Sequence, residues 1–337
     1  MFAPVPNFSL YPFNTFGMRV KAAYFDVLQR EEDVPHIKNQ EAYGKGLLVL
    51  GGGSNILFTQ DVDKWVLRNE IKGITLIKED DQHAWLKVGA GVVWHSFVLH
   101  CIDQGYAGVE NMSLIPGTVG AAPMQNIGAY GAEVKDVIDR VRYFDLERDT
   151  FVELENAQCR FGYRDSIFKQ ELKGKVLIAS VTFRLNKQPV FNTSYGNIAQ
   201  QLELMGVQDL SIKAVSDAVI AIRRSKLPDP LVTGNAGSFF KNPEVATAAY
   251  EQLKAIYGTM PGYRTDTGIK IPAAWLIEQC GWKGYRKDDY GVHHGQPLVL
   301  VNYGGATGKQ IEGLSAEIIA SVKEQFNIVL EREVQLV

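Results

Sequence analysis

The sequence is poor in the features that define several protein classes. It has only 3 cysteines in 337 residues, and Cys101, Cys159 and Cys280 form neither a CxxC pair nor a zinc-ligand spacing. Disulfides and a structural zinc site are therefore not expected, and free thiols suit a reducing compartment. No apolar run approaches the roughly 20 residues of a membrane span, and the first residues do not resemble a signal peptide. We expect a cytoplasmic protein without a membrane partner.

An excess of positive charge is also absent. The formal net charge is −3 and the sequence pI is about 6.1, so no overall field attracts nucleic acid. The basic cluster "IRRSK" is too small to change this. His293 and His294 are adjacent, but without a third ligand nearby they do not predict a metal site. We expect no nucleic-acid partner and no metal.

The composition that is present is typical of a globular protein, with 46% hydrophobic residues, 22% charged residues and 32 glycines. The length predicts two or three domains. Strands are predicted at Leu47–Leu50, in "HAWLKVGAGV" and "KVLIASVTFRL", and as a pair in "RVRYFDLERDTFVEL". A helix is predicted in "VWHSFVLHCIDQG", ending at Gly105. This mixture predicts the α+β class and not a doubly wound Rossmann fold.

The last hundred residues carry clear helix signals. Asn242 and Pro243 predict an N-cap and first helical position for "EVATAAYEQLKAIYG", and Pro272 predicts the start of "AAWLIEQCG", which closes at Gly281. "KQIEGLSAEIIASVKEQF" predicts a long helix with one apolar face formed by Ile311, Leu314, Ile318, Val322 and Phe326. We expect the chain to finish as a strand, "IVLEREVQLV".

Two glycine-rich loops are candidates for ligand binding. "GGGSN", Gly51–Asn55, follows a buried strand, and without Cβ atoms its amides could approach a phosphate. It matches neither GxGxxG nor a P-loop, so a tight turn is the competing interpretation. "IPGTVGAAPMQNIGAYG", Ile115–Gly131, adds the amide side chains of Gln125 and Asn126, and it could equally be a crossover packed between sheets. Two such loops suit a dinucleotide.

Five motifs carry a resemblance to a known family. "LGGGSNILF", "IPGTVGAAPMQNIGAYG", "CRFGYRDSIFK", "GNAGSFFKNP" and "LEREV" occur in this order. Together they resemble the UDP-N-acetylenolpyruvoylglucosamine reductases, from about Asn14 to Glu333. "TSYG" is similar to the form of the family that keeps a tyrosine-bearing loop over its substrate.

The resemblance implies a fold and a reaction. The fold would be an FAD-binding fold of the vanillyl-alcohol-oxidase/PCMH type, with subdomains at residues 1–72 and 73–224, and a C-terminal α+β substrate domain at 225–327. The final strand, 328–337, would join the first subdomain. FAD would be held tightly and without a covalent bond, and NADPH would reduce it. Hydride from flavin N5 would then reduce the enolpyruvyl ether of a UDP-sugar to UDP-N-acetylmuramate, a precursor of peptidoglycan.

Three catalytic residues are carried over from the family pattern. Arg164 would hold the substrate carboxylate and the developing enolate, although a salt bridge to Asp165 is the competing interpretation. Ser238 would donate a proton to the enolate carbon, although a serine in such a turn often bonds its own backbone. Spacing alone does not separate Glu331 from Glu333, which would share a strand face. The resemblance selects Glu333, which would assist if protonated or bridged by water.

The resemblance also implies binding residues. The residues expected to bind FAD are Gly51, Gly52, Gly53, Ser54, Asn55, Pro116, Gly117, Thr118, Gly120, Ala121, Gln125, Asn126 and Gly128. The residues expected to bind the UDP-sugar are Tyr130, Tyr195, Lys226, Asn242, Tyr263 and Gln296. Alanines in "TVGAA" replace the serines common in the family, which makes hydroxyl contacts to FAD there less secure.

Two other functions fit part of the pattern. One is a different FAD-dependent oxidoreductase of the same fold, which would often anchor its flavin through a histidine, and the loops have none in a matching place. The other is a non-catalytic flavin or sugar-nucleotide binding module, which would not need Arg164, Ser238 and Glu333. The filled catalytic positions favour an enzyme.

Overall fold

The structure of the protein is a computed structural model that describes residues 2–337. Those residues form 19 strands and 6 α-helices, with short 3-10 turns between them. The strands are β1 Val5–Ser9, β2 Lys21–Leu28, β3 Leu47–Leu50, β4 Ile56–Leu57, β5 Val62–Asn69, β6 Ile74–Glu79, β7 His83–Gly89, β8 Gly128–Ala129, β9 Ala132–Glu133, β10 Ile138–Asp145, β11 Thr150–Glu155, β12 Val176–Asn186, β13 Glu244–Val245, β14 Tyr263–Arg264, β15 Ile269–Lys270, β16 Arg286–Lys287, β17 Tyr290–Val292, β18 Leu300–Asn302 and β19 Gln335–Leu336. The helices are α1 Trp94–Asp103, α2 Ile198–Leu204, α3 Ile212–Lys226, α4 Thr247–Ile256, α5 Ala273–Gln279 and α6 Gly308–Phe326.

The chain divides into two compact units. Unit 1 consists of the chain up to Phe8, Ala22–Gly53 and Val62–Ser225. Unit 2 consists of Ser9–Lys21, Ser54–Asp61 and Lys226–Val337. The predicted division of the first 224 residues into two subdomains stays a prediction, as does the membership of the final strand.

Unit 1 contains a four-stranded sheet in the order β1-β2-β5-β3. Strand β5 pairs in parallel with both β2 and β3. The predicted strand at Leu47–Leu50 is confirmed as β3. Parallel strands covered on both faces need apolar side chains on both faces, and accordingly Trp65, Val66 and Leu67 of β5 are all fully buried.

The second sheet of unit 1 has five strands in the order β11-β10-β12-β7-β6, all paired antiparallel. Its central strand, β12, contributes side chains to two hydrophobic cores. Leu177 and Ala179 pack with the core of the first sheet, whereas Val181 and Phe183 pack with the core around helix α1. The predicted strand "KVLIASVTFRL" is therefore confirmed, and its continuous apolar run follows from burial on both faces.

The charged turn predicted between two strands is also confirmed. Strands β10 and β11 pair from Arg140 with Glu155 to Asp145 with Thr150. The side chain of Asp145 accepts hydrogen bonds from the backbone N–H groups of Glu147 (2.9 Å) and of Arg148 (3.0 Å). Such an Asx turn explains why the connection is polar and short.

Unit 2 is built around helix α6. The five apolar residues predicted to share one face of this helix are all buried: Ile311, Leu314, Ile318, Val322 and Phe326. Thr307 and Gln310 form a reciprocal capping box at its start. Unit 2 also contains helices α4 and α5, the small sheets β16-β17-β18 and β13-β15-β14, and the parallel pair β4–β19.

The helix start predicted at Asn242 and Pro243 is wrong. Glu244 and Val245 instead form strand β13, which pairs with β15, and helix α4 begins at Thr247. The Asn242 side chain does act as a helix cap, but for α5, because its Oδ1 accepts from the N–H of Ala273 at 2.9 Å. A local capping signal cannot specify which helix is nearby in space. Helix α5 begins one residue after Pro272.

The final strand is shorter than predicted. Only Gln335–Leu336 forms a regular strand, which pairs in parallel with β4. The residues before it pair instead with the segment Phe239–Lys241: Lys241 N–H donates to Glu331 O at 2.9 Å, and Glu333 N–H donates to Phe239 O at 2.8 Å. The C-terminal segment is thus extended but divides its hydrogen bonds between two partners.

The overall content of helices and separate small sheets confirms the predicted α+β class. The three cysteines are free thiols, two of them buried. Within residues 2–337, no helix is both long enough and apolar enough to cross a bilayer.

Candidate active site

The two glycine-rich loops contact each other within unit 1. A Cβ on Gly51 would lie 2.7 Å from Thr118 Oγ1, and a Cβ on Gly52 would lie 2.9 Å from Gly117 Cα. Ordinary Cβ contacts are longer than either distance. The second loop is in turn fixed to the start of helix α1, because Trp94 N–H donates to Gly117 O at 3.0 Å. The absence of side chains at Gly51 and Gly52 is therefore required by the approach of the loops.

A histidine stabilises the backbone immediately before the second glycine-rich loop. Leu114 has φ +59°, a left-handed conformation that is uncommon for a bulky residue. Its N–H donates to Nδ1 of His95 at 3.0 Å. Burial, followed by the charges of Arg224 and Arg223, lowers the pKa of His95. Neutral His95 is the form that can accept this hydrogen bond.

Helix α3 carries a cation that the sequence reasoning missed. The Nε atom of Arg223 is buried without a hydrogen-bond partner among residues 2–337. Burial lowers the pKa of this guanidinium, and Tyr130 lies close enough to affect it. Arg223 follows Val219 by four residues on the buried face of α3, so helical periodicity within "AVIAIRRSK" could have separated it from the exposed Arg224.

These features fit a flavin dinucleotide. Glycine-rich loops leave their backbone amides unshielded by side chains, and such amides can bind phosphates. A buried guanidinium is costly unless an acceptor-rich or anionic group approaches it. The donor set of unit 1 therefore suits the pyrophosphate and the oxygen-bearing ring system of FAD. Gly51–Gly53 lie in unit 1, whereas Ser54 and Asn55 lie in unit 2.

Tyr130 and Tyr195, two residues predicted to bind the substrate, lie on neighbouring segments of unit 1. Asn111 is buried, and its Nδ2 donates to Tyr130 O at 2.9 Å and to Asn192 O at 2.8 Å. This bond pair joins the second glycine-rich loop to the segment that carries Tyr195. Tyr195 is 57% exposed, so it is accessible to a ligand.

Arg164 lies in a tight turn of unit 1. Its Nη2 donates to Gly128 O at 2.8 Å, and its Nη1 is 3.4 Å from Asn126 O. The neighbouring Asp165 side chain accepts hydrogen bonds from Gln170 Nε2 at 3.0 and 3.1 Å. The guanidinium is thus turned toward the second glycine-rich loop.

Ser238 lies in a tight turn of unit 2. Gly237 has φ +68°, and its N–H donates to Oδ1 of Asn235 at 2.9 Å. The hydrogen bond that stabilises the turn is therefore made by Asn235, which the sequence reasoning missed. Phe239 and Phe240, which follow Ser238, are 0% and 1% exposed.

Glu331 and Glu333, which spacing alone did not distinguish, have different surroundings in the structure. The Glu331 side chain is 69% exposed, and its carboxylate lies 2.5 Å from Lys241 Nζ. Glu333 is partly buried, and its backbone bonds to Phe239, the residue after Ser238. Asn55 Nδ2 donates to Glu333 O at 3.2 Å. Ser238 and Glu333 therefore lie on paired segments of unit 2.

The remaining predicted substrate residues of unit 2 differ in their surroundings. Lys226 is exposed at the end of α3, and Tyr263 is 61% exposed on β14. The N–H of Gln296 donates to Nδ1 of His293 at 3.1 Å, so a histidine fixes that loop. Asn242 caps α5 as described above.

Comparison with known proteins agrees with this assignment of parts. The profile of a family described as "FAD binding domain" matches residues 25–155. The profile "UDP-N-acetylenolpyruvoylglucosamine reductase, C-terminal domain" matches residues 229–337. Together they confirm the predicted combination of an FAD-binding fold with a C-terminal domain.

Individual relatives match over nearly the whole chain. A UDP-N-acetylenolpyruvoylglucosamine reductase of Amoebophilus asiaticus is 52% identical over 98% of this chain and 98% of its own. One of Chromobacterium violaceum is 49% identical over 96% of both chains. The crystal structure of the reductase from Thermus caldophilus has the same fold, with a TM-score of 0.68 at 23% identity over 100% of this chain and 98% of its own. The chain belongs to the UDP-N-acetylenolpyruvoylglucosamine reductase family of FAD-dependent oxidoreductases.

Proposed function

We propose that the protein reduces the enolpyruvyl ether of UDP-N-acetylglucosamine to UDP-N-acetylmuramate, with NADPH as the electron donor, in peptidoglycan precursor synthesis. The observation that carries this proposal is the turn at Ser238, which presents a hydroxyl between a left-handed glycine and two buried phenylalanines. Bound FAD, once reduced by NADPH, supplies the hydride. We further propose a cytoplasmic monomer that binds no nucleic acid.

The cofactor would be held by the two glycine-rich loops. The proposed contacts are Gly51–Asn55 and the loop residues Pro116, Gly117, Thr118, Gly120, Ala121, Gln125, Asn126 and Gly128. The contact of Asn126 would be made by its backbone, because its carboxamide bonds to Gly162 and Lys135. Support comes from the close approach of Gly51 and Gly52 to the second loop. Arg223 is added to the predicted set, because its buried Nε lacks a partner among the described residues. Its charge would favour an electron-rich part of the cofactor.

Three residues would act on the substrate. Arg164 would hold the carboxylate through its guanidinium and stabilise negative charge as it develops on the neighbouring carbon and carboxylate. Ser238 would then transfer its hydroxyl proton to that carbon. Glu333 would support the transfer, and its pairing with the Ser238 segment favours it over Glu331. Phe239 and Phe240 help to exclude water, which would protonate the carbon from either face.

The UDP-sugar would be bound by six residues, for which the exposure of Tyr195 and Tyr263 is the main structural support. Lys226 would pair with the diphosphate, and Tyr195 would close over it. The other proposed contacts are Tyr130, Asn242, Tyr263 and Gln296.

The Ser238→Ala variant tests the proposal. Without the hydroxyl, flavin reduction by NADPH should proceed at the wild-type rate, because that step needs no proton on the substrate carbon. Reoxidation of the flavin by the enolpyruvyl UDP-sugar should slow by about 10²–10⁴-fold, the usual contribution of a general acid. Both half-reactions are followed anaerobically by the visible absorbance of the flavin in a stopped-flow instrument.

A matched control is Ser321→Ala. Ser321 lies on α6 of the same unit and hydrogen-bonds with Cys280, so its loss should leave both half-reactions unchanged. Loss of both half-reactions in Ser238→Ala would indicate damage to folding or cofactor binding. Wild-type rates in both would remove Ser238 from the mechanism.

A further inference from the structure

The turn that carries Arg164 is held in an unfavourable conformation. Gly162 N–H donates to Asp165 O at 3.0 Å, and Asp165 N–H donates back to Gly162 O at 3.3 Å. Arg164 is the third residue of this four-residue turn and has φ +54°. Glycine or asparagine normally occupies that position, and a left-handed conformation costs other residues about 1–2 kcal/mol. Neighbouring groups must therefore stabilise the turn.

Asn126 provides such a contact. Its side chain is completely buried, and Nδ2 donates to Gly162 O at 2.9 Å. Its Oδ1 accepts from Lys135 N–H at 3.1 Å. The carboxamide thus joins the Arg164 turn to the segment that follows the second glycine-rich loop. Asn126 itself has φ +45°, which asparagine tolerates better than most residues.

Contacts in the opposite direction complete the connection. The guanidinium of Arg164 reaches Gly128 O and Asn126 O, as described above. Ser166, which is 1% exposed, donates from Oγ to Met124 O at 2.7 Å. The turn and the segment 124–128 therefore bind each other through side chains from both partners, and a shift of one moves the other.

We propose that Asn126 is a positioning residue for Arg164: its Nδ2–H···O=C bond to Gly162 keeps the Arg164 turn in the conformation that presents the guanidinium to the substrate carboxylate. This inference rests on the proposed function of Arg164. It assigns the Asn126 side chain a task separate from cofactor binding, because both ends of the carboxamide bond to the protein.

The test is a double-mutant cycle with Asn126→Gly and Arg164→Ala. Glycine accepts the left-handed backbone of residue 126, so the substitution removes the carboxamide without adding backbone strain. The Asn126→Gly enzyme should retain its FAD and its rate of flavin reduction by NADPH. Reoxidation by the enolpyruvyl substrate should slow by about 10²-fold, as expected when a reacting group is displaced by about 1 Å.

The double variant decides whether Asn126 acts through Arg164. If it does, adding Asn126→Gly to Arg164→Ala should not slow reoxidation further. If the two defects multiply in the double variant, the inference is overturned. A loss of bound FAD in Asn126→Gly would also overturn it, because the Asn126 side chain would then be a cofactor contact. If Arg164→Ala alone leaves reoxidation unchanged, the proposed role of Arg164 itself is wrong. That result can be distinguished from one in which both single variants slow reoxidation and their effects multiply.

Asn156→Ala is the matched control. Its Nδ2 donates to Lys135 O at 2.7 Å and to Ile138 O at 2.8 Å, so this substitution also removes carboxamide bonds within unit 1. Those bonds do not involve the Arg164 turn. Reoxidation in Asn156→Ala should therefore match the wild type, and an equal slowing in both variants would show that any lost carboxamide in this unit has the same effect.

Discussion

The backbone of the second glycine-rich loop occupies the space that a side chain at Gly52 would need. The conformation of Gly52 lies outside the left-handed region, so glycine is required there by space and not by φ. The nearest atom to an added Cβ belongs to the backbone of Gly117, which cannot rotate away as a side chain would. Any larger residue must separate the two loops.

We predict that Gly52→Ala weakens FAD binding about tenfold, the equivalent of about 1.4 kcal/mol and within the usual cost of overpacking. The reason is displacement of the loop amides from the cofactor phosphates. The measurement is fluorescence titration of the FAD-free protein with FAD.

The control for this prediction is Gly44→Ala, also in unit 1, where an added Cβ would meet no atom within 4 Å. Its FAD affinity should equal that of the wild type. An unchanged affinity in Gly52→Ala would mean that the loops separate without consequence for the cofactor.

Residues recognisable from the sequence were those within distinctive motifs. Ser238 and Arg164 could be named because their neighbours form unusual strings. Arg223 and Asn235 could not, because their importance depends on burial and on hydrogen bonds made after folding. Asn126 was recognised as an amide donor, but its partner, Gly162, lies 36 residues away along the chain.

Among the elements, helix α6 has the clearest local stabilisation. The Thr307 side chain accepts from Gln310 N–H at 3.3 Å, and the Gln310 side chain accepts from Thr307 N–H at 2.8 Å. The helix is 19 residues long and supplies much of the buried face of unit 2. Its first turn therefore affects the stability of the unit.

We predict that Thr307→Ala lowers the free energy of unfolding by about 1 kcal/mol, the typical cost of losing an N-cap side chain. The measurement is urea denaturation followed by circular dichroism. Thr307→Ser keeps the hydroxyl acceptor and should lose much less stability. Equal losses in the two variants would attribute the effect to the threonine methyl group instead of the cap.

Elements with a strong internal pattern were predictable, and those fixed by distant pairing were not. Helix α6 shows a continuous apolar stripe, and β10 and β11 flank a polar turn, so each signal lies within one stretch. The start of α4 was misplaced because Glu244 and Val245 are extended by pairing with β15, about 25 residues further on. The last strand was overextended for the same reason.

At the scale of the whole molecule, each unit contains a histidine that is favoured in its neutral form. Burial is the main cause of the lowered pKa of His95 in unit 1 and of His293 in unit 2. Below the ordinary histidine pKa of 6.5, the unfolded chain binds protons that the folded chain does not. Stability from these groups is therefore complete above that pH and decreases as the pH falls toward the folded-state pKa values.

We predict that the free energy of unfolding decreases between about pH 7.5 and about pH 5.5, and that His95→Gln makes this decrease smaller. Glutamine can still accept the Leu114 N–H but does not titrate. The measurement is urea denaturation across this range. An unchanged slope in His95→Gln would contradict the prediction.

The sequence indicated the class and the cofactor but not how the chain divides in space. The order of the motifs indicated the family, and the mixture of strand and helix patterns indicated the α+β class. The assignment of Ser9–Lys21 and Ser54–Asp61 to the same unit as the C-terminal region depends on contacts between distant segments. No local sequence pattern in those short stretches predicts that they contact the C-terminal region.

Strand β12 has a consequence for how such a protein can change by recombination. The side chains of β12 fill the cores of both sheets in unit 1. Replacing either sheet with that of a relative would therefore also require replacing β12, on which the other sheet depends. A crossover placed between the sheets would leave Leu177 and Ala179 in contact with side chains from a different parent. The strands of these two sheets should therefore be inherited together.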